Sequence, residues 1–347
     1  MAAAKLFFIT PALSGGGIEQ SIPILIEQLS QLTSCNIAWV GVNRSEFHRE
    51  IDGVSIVSMD RESGNGILAT TCAIRDSRSL IVSEEKPIVV ANGEVAELLA
   101  LSLPRRIPVI CVEHASHPWL MSRKLGYLVR KLISFKDVFW VTVNARQESI
   151  WPNIKKFETI YNPIHPTSFS GRDLGVGLIH IGRVTADKGI EMVCSAAQKV
   201  GMKLDVYGDG DLLSQLRRNY SQNSDVIFHG FTNDVWKIIG RKRLLISASL
   251  HEGDGRNVAE AIMRRQPILL LDTIDHRRFG LPDMHYFRDF DSLIDKIQDH
   301  RSDDFDRLRP SGALAEHEMS KRSPARIAKI WSKLINSIAL RRYGQNI

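Results

Sequence analysis

Short apolar runs recur from end to end of the chain, separated by polar stretches rich in turn residues. Runs of strand length fall at 6–10, 37–42, 55–59, 88–91, 109–112, 138–143 and 159–161. Between them apolar positions return at helical spacing, for example over 20–32 and 95–103. Strands that are apolar throughout and alternate with helices predict a parallel sheet covered on both faces. At Tyr161 the pattern breaks into NPIHPTSFSGRDLG, whose Pro, Ser and Gly predict a linker near 162–174. A second series then begins, with strands at 177–181, 204–207, 226–229, 244–248 and 268–272. The reading is an α/β chain of two Rossmann-like domains, 1–165 and 174–323.

A length of 347 residues suits two domains, and 44% hydrophobic residues are enough to fill both cores. The longest apolar runs, IPVICV and PILLLD, are far too short to span a bilayer. The opening MAAAKLFFITPALSGGG lacks the sustained apolar core of a signal peptide and reads as a first strand. Cys35, Cys72, Cys111 and Cys194 are scattered, with no C-x-x-C pair. That fits a reducing cytosol and argues against a zinc site. The net charge of +6 suits an anionic partner without choosing one. Aromatics make up only 7% and no nucleic-acid-binding motif is visible, so nucleic acid is not an expected partner.

In doubly wound sheets ligands gather beyond the carboxyl ends of the strands, so the turns there are the places to search. After the first strand, PALSGGGIEQS opens a helix with three glycines whose N–H groups can approach an anion. The spacing is not G-x-G-x-x-G, which weighs against a dinucleotide. The second half begins GLIHIGRVTADKGIEMV, with Arg183 and Lys188 five apart at the mouth of a helix. Two cations and a helix N-terminus can clamp a diphosphate. LDVYGDGDLL resembles a metal-binding D-x-D at Asp209 and Asp211. Its glycines, Gly208 and Gly210, point instead to close backbone approach, with no third carboxylate nearby. Finally, SLHEGDGRNVAEAIMRRQPILLLD (249–272) sets Glu252 and Glu260 eight apart, with Gly253 and Gly255 between them at the start of a helix. Two carboxylates so placed can meet two parts of one ligand.

The ordered set IGRVTADKGIE, VYGDGDLL, FHGF and SLHEGDGRNVAEAIMRRQPILLLD resembles the C-terminal half of the family 4 glycosyltransferases, which have the GT-B fold. The glycine turn after strand one and VEHASH after the strand ending near Val112 resemble the first half. The resemblance implies two Rossmann-like domains facing each other across a cleft, with a C-terminal helix, 324–342, packing back onto the first. It also implies a retaining transferase that uses a nucleotide-diphosphate sugar and needs no metal or other cofactor. On that basis Arg183 and Lys188 would bind the diphosphate, Glu252 the transferred sugar, and Glu260 the ribose. His114 would stand beside the anomeric carbon. Gly16, Gly17, Gly208, Asp209, Phe231, Gly253, Asp254, Gly255, Arg256 and Asn257 would line the donor. Glu113 and His114 with His117 make a poor metal set.

Two departures from the family pattern bear on the donor. Asp254 stands where an aromatic or small apolar residue is usual, and Arg264–Arg265–Gln266 replaces a small-residue-and-glycine turn. The acceptor implied is a glycan or lipid-linked glycan of bacterial surface polysaccharide, lipopolysaccharide included, made in the cytoplasm at the inner face of the membrane. SRKLGYLVRKLISFK, 122–136, fits that setting: it reads as a basic amphipathic helix with Leu125, Leu128, Val129 and Leu132 on one side. Arg123, Lys124, Arg130, Lys131 and Lys136 lie mostly on another, a face suited to an anionic membrane surface. The alternatives are a nucleotide-sugar epimerase of the same fold and a DNA-binding or DNA-modifying protein.

Overall fold

The computed structural model describes residues 4–45, 50–61, 67–114, 123–136, 138–144, 157–165, 175–233 and 235–344. The chain divides into two compact units, Met1–His165 with Arg322–Ile347, and Pro166–Lys321.

In the first unit, strands β1 (Lys5–Thr10), β2 (Asn36–Asn43), β3 (Val54–Arg61), β4 (Pro87–Asn92), β5 (Val109–Glu113), β6 (Val138–Thr142) and β7 (Phe157–Thr159) form one sheet. Their order is β3-β2-β1-β4-β5-β6-β7, and every pairing is parallel. Helices α1 (Gly17–Ser30), α2 (Ile67–Val82), α3 (Glu94–Ser102) and α4 (Arg123–Ile133) connect them. In the second unit, β8 (Gly177–Ile181), β9 (Leu204–Tyr207), β10 (Val226–Gly230), β11 (Arg243–Ser247), β12 (Ile268–Leu271) and β13 (Tyr286–Phe287) take the order β10-β9-β8-β11-β12-β13. Its helices are α5 (Ile190–Val200), α6 (Leu213–Asn219), α7 (Val235–Ile238), α8 (Arg256–Met263), α9 (Ile274–Arg277), α10 (Phe290–Arg301) and α11 (Gly312–Lys321). Strand order reverses between β1 and β4 in one sheet and between β8 and β11 in the other, so each unit has a switch-point crevice.

The central strands are buried on both faces, which is why they read as unbroken apolar runs. β7 lies two residues earlier than the sequence pattern places it, although Ile160 still donates to the Thr142 carbonyl (2.9 Å). β13 escapes sequence reading because two residues carry no periodicity. The last helix, α12 (Pro324–Tyr343), joins the first unit. Ile327, Trp331, Ile335 and Ile338 share its core with Leu6, Phe8 and Leu25, and Trp331 meets Phe8 edge-on with ring centroids 6.4 Å apart.

Helix α4 overturns the expected arrangement of faces. Arg130 is not on a solvated basic face: it is buried between α3 and β5, where it pairs with Glu97 (2.7 Å) and with Glu113. Lys136, just past the helix, is also turned inward and donates to the carbonyls of Ala100 (3.0 Å), Leu101 and Leu103 at the end of α3. Leu125, Leu128 and Leu132 face solvent, whereas Val129, expected on their side, is buried with Ile133. The reason is electrostatic. Two carboxylates under α4 need a cation more than the sheet needs three leucines.

Candidate active site

Of the sequence-selected residues of the second unit, Arg183 and Lys188 follow β8 and Glu252 to Asn257 follow β11, on both sides of its switch point, whereas Gly208 and Asp209 follow β9 and Phe231 follows β10. After β8 the chain turns at Gly182 and a short 3₁₀ turn, Ala186–Lys188, delivers Lys188. After β11 the loop 249–255 carries Ser249, Glu252 and Gly255 to the start of α8. Lys188 and Glu252 meet in an ion pair at 2.8 Å. The Lys188 ammonium also donates to Ser249 Oγ and to the His251 carbonyl, each at 3.0 Å. An ammonium has three protons, so these contacts use all of them.

Asp275, on α9, accepts the Glu252 backbone N–H at 3.0 Å and fixes that residue from behind. Burial pushes the Glu252 carboxyl up, but the adjacent Lys188 outweighs it and leaves the group below its usual range. Two buried histidines lie beneath the pair. Burial lowers His180 to about 4, and it also lowers His276, whose Nδ1 bonds the Leu271 carbonyl (2.7 Å) and whose Nε2 meets Ser247 Oγ (3.2 Å). Burial therefore favours the neutral form of both histidines near pH 7.

Arg183 is half exposed and pairs with Asp187 at 3.1 Å. Burial raises the Asp187 carboxyl, yet the Thr185 hydroxyl and Arg183 together bring it down overall. Glu260 is held by two donors: Arg256 Nε to Oε1 and Trp236 Nε1 to Oε2, both at 2.7 Å. The unusual triplet before β12 reaches the same cluster. Arg264 lies over the Trp236 ring (5.3 Å) and donates to the Trp236 carbonyl (2.9 Å). Arg265 takes the left-handed backbone conformation (φ 52°) that a glycine would otherwise supply.

Asn257 reaches from α8 to the Ile181 carbonyl (2.7 Å) and tethers that helix to β8. Gly255, at φ 59°, opens α8 against Phe279 and Arg278, and Arg278 also bonds the Gly253 carbonyl (2.8 Å). Asp254 is buried, and Phe231, after β10, is exposed.

The glycine turn at 208–210 has a packing cause. A β-carbon on Gly208 would overlap the Gly182 carbonyl, and Val184 N–H donates to the Asp209 carbonyl at 2.9 Å. The Asp209 carboxylate turns back to the Gly210 N–H (2.7 Å). Among the described residues no group of three or more His, Cys, Asp or Glu is placed to hold a metal ion.

In the first unit the glycine turn after β1 is engaged by its own helix. Glu19 is buried, which raises its carboxyl, and it accepts backbone N–H bonds at Ala12, Gly16 and its own position. A phosphate at Gly16–Gly17 would have to displace it. His114 Nε2 meets Asn92 Oδ1 at 2.8 Å, and Asn92 donates to the Ile9 carbonyl (3.1 Å). His117 and Ser122 lie outside the described residues. Sequence reasoning missed Ser249, Asp275, Trp236 and Glu19. Only Thr273, an N-cap that accepts from His276 N–H, announces a helix carrying Asp275.

Residues 177–277 match the family Glycosyl transferases group 1. A stretch of 174 residues is 24% identical to the poly(ribitol-phosphate) alpha-N-acetylglucosaminyltransferase of Staphylococcus aureus (strain COL). It covers 46% of this chain and 35% of that protein, so the match spans about a third of the relative's length. Two solved structures match over 96% of the chain and 99% of their own. They are sucrose-phosphate synthase from Thermosynechococcus elongatus (TM-score 0.80, 13% identity) and Anabaena HepE in complex with UDP-glucose (TM-score 0.76, 14% identity). These likenesses establish the fold: two parallel-sheet Rossmann-like domains of the GT-B type.

Proposed function

We propose that this protein is a retaining glycosyltransferase of family 4 type, moving a sugar from a nucleotide-diphosphate sugar to a glycan or lipid-linked glycan. The observation that carries the reading is the Lys188–Glu252 pair at the β8/β11 switch point, inside the segment that matches the group 1 glycosyl transferases. In transfer the bond from the sugar's anomeric carbon to the diphosphate oxygen breaks, and the diphosphate leaves with the electron pair. The acceptor hydroxyl bonds that carbon and gives its proton to the leaving diphosphate oxygen. Arg183 and the N-terminus of α8 oppose the charge that grows on the leaving diphosphate. Lys188 joins them by exchanging one of its present acceptors for a phosphate oxygen. Glu252, ionised and fixed by Asp275, faces the sugar as positive charge builds there. Glu260, steadied by Trp236 and Arg256, holds the ribose. With these cations in place, the donor is held without a metal ion.

The HepE complex makes a uridine-diphosphate sugar the first donor to try. Lipopolysaccharide, O-antigen or capsule synthesis at the inner face of the inner membrane is the setting that fits such a transferase. The test is a thermal-shift panel of nucleoside diphosphates and their sugars, with and without EDTA. A true ligand at about 100 times its dissociation constant should stabilise by roughly 2.7 kcal/mol, and chelation should leave the shift intact. A panel with no shift for any nucleotide overturns the reading.

A further inference from the structure

The Arg264–Arg265–Gln266 triplet replaces a turn of small residues and glycine, yet its side chains are not idle on the surface. Arg264 and Gln266 are buried, at 6% and 0% exposure. Both reach one neighbouring stretch, from α7 to the start of β11. Arg264 donates to the Trp236 carbonyl (2.9 Å), and Gln266 Nε2 donates to the carbonyls of Gly240 (3.2 Å) and Arg243. Arg265 anchors the turn on its other side, where its Nε donates to the Pro310 carbonyl (3.1 Å). Arg309 then donates to the carbonyls of Arg265 (3.1 Å) and Arg241 (2.9 Å). Small residues and a glycine have no side chains with which to clasp α7 in this way.

What the clasp holds is the Trp236 indole. The Arg264 guanidinium lies over its ring at 5.3 Å, and its Nε1 donates to Glu260 Oε2 at 2.7 Å, while Arg256 Nε donates to Oε1 at 2.7 Å. A donor on each oxygen fixes the place of the carboxylate and the plane of its lone pairs. A carboxylate accepts at about four sites, so each oxygen keeps one, and the two together suit neighbouring hydroxyls. Along α8 the triplet follows the end opposite Gly255, so its effect falls on Glu260 rather than on the phosphate-facing turn. We propose that Arg264 and Trp236 are positioning residues for Glu260 and set this protein's preference for ribonucleotides over 2′-deoxyribonucleotides. The proposal rests on the reading that Glu260 meets the donor ribose. Its physical basis is preorganisation: a carboxylate that must first be ordered by the ligand binds it more weakly, by about two- to tenfold. A 2′-deoxyribose offers one hydroxyl fewer and gains less from a carboxylate already in place.

The experiment is calorimetry of UDP and of 2′-deoxy-UDP on the full chain, for the parent, Glu260→Gln, Trp236→Phe and Arg264→Met. The parent should prefer UDP by about tenfold or more, the worth of a hydroxyl bonded to a charged group. Trp236→Phe keeps a ring beneath Arg264 and removes the N–H. Arg264→Met keeps a long side chain and removes the cation and its donors, and it carries the test if the tryptophan variant does not fold. Each should weaken UDP by about two- to tenfold and 2′-deoxy-UDP by less, so that the preference shrinks towards that of Glu260→Gln. If Glu260→Gln keeps the parent's preference, Glu260 is not at the ribose and the proposal falls with that reading. If Glu260→Gln loses the preference while the folded Trp236 and Arg264 variants keep it, or weaken both ligands equally, the ribose reading stands and the proposal is overturned: the triplet then serves packing alone.

Discussion

The two units share one strand order yet spend their buried charge differently. In the first, Arg130 sits between α3, α4 and β5, and its side chain and those of Glu97 and Glu113 are each no more than 6% exposed. That triad lies one strand away from the β1/β4 switch point and closes a helix onto the sheet. In the second, Lys188 and Glu252 pair on either side of the β8/β11 switch point, with side chains 14% and 9% exposed, above two histidines that burial shifts towards the neutral form. Both are buried ion pairs, and neither is distinguished by its distance. What separates a structural pair from a candidate catalytic one is its place relative to the crevice, and whether its partners have another group to exchange for.

The sharpest break of that comparison is Arg130→Ala. It strands two carboxylates without a cation, and removing one partner of a buried pair costs about 3–5 kcal/mol. Chemical denaturation should show a loss of this size in the first unit, with nucleoside-diphosphate affinity unchanged at temperatures where the protein stays folded. A loss below about 0.5 kcal/mol would mean that the triad does not hold α4.

A smaller effect should come from acid, and it should fall on the second unit. His180 titrates at about 4 in the folded chain against 6.5 unfolded. For a histidine whose folded value is lowered, the unfolded chain takes the proton first. Its contribution is therefore complete above pH 6.5 and is lost as the pH falls from 6.5 towards 4. A shift of that size is worth about 3 kcal/mol. Denaturation midpoints of parent and His180→Gln, followed from pH 7 to 4, should converge as the pH falls, because the variant lacks this proton uptake. Parallel curves would remove His180 from the account.

Much of the fold was legible because its strands are buried on both faces and read as apolar runs between glycine turns. The candidate site was legible where one short segment carries the chemistry, as with Glu252, Gly255 and Glu260. It was not legible where a partner comes from elsewhere in the chain. Nothing near Trp236 shows that its indole will reach Glu260, and nothing near Arg264 shows that it will lie over Trp236. Helix α4 misled for a related reason. Its periodicity sets Val129 with the leucines and Arg130 with the other cations, whereas the structure buries Val129 and Arg130 together, and that choice belongs to Glu97 and Glu113, 33 and 17 positions away from Arg130.

The claim that the β8/β11 crevice is the donor site is tested most directly by calorimetry of a nucleoside diphosphate on Glu252→Gln and Glu260→Gln, beside their turnover. Glu252 meets charge that develops only as the glycosidic bond breaks, so its loss should lower kcat by about 10²-fold or more while nucleotide binds almost normally. Glu260 meets the unreactive ribose, so its loss should act chiefly on nucleotide affinity and KM. Two variants that bind and turn over like the parent would mean that this crevice is not where the donor sits.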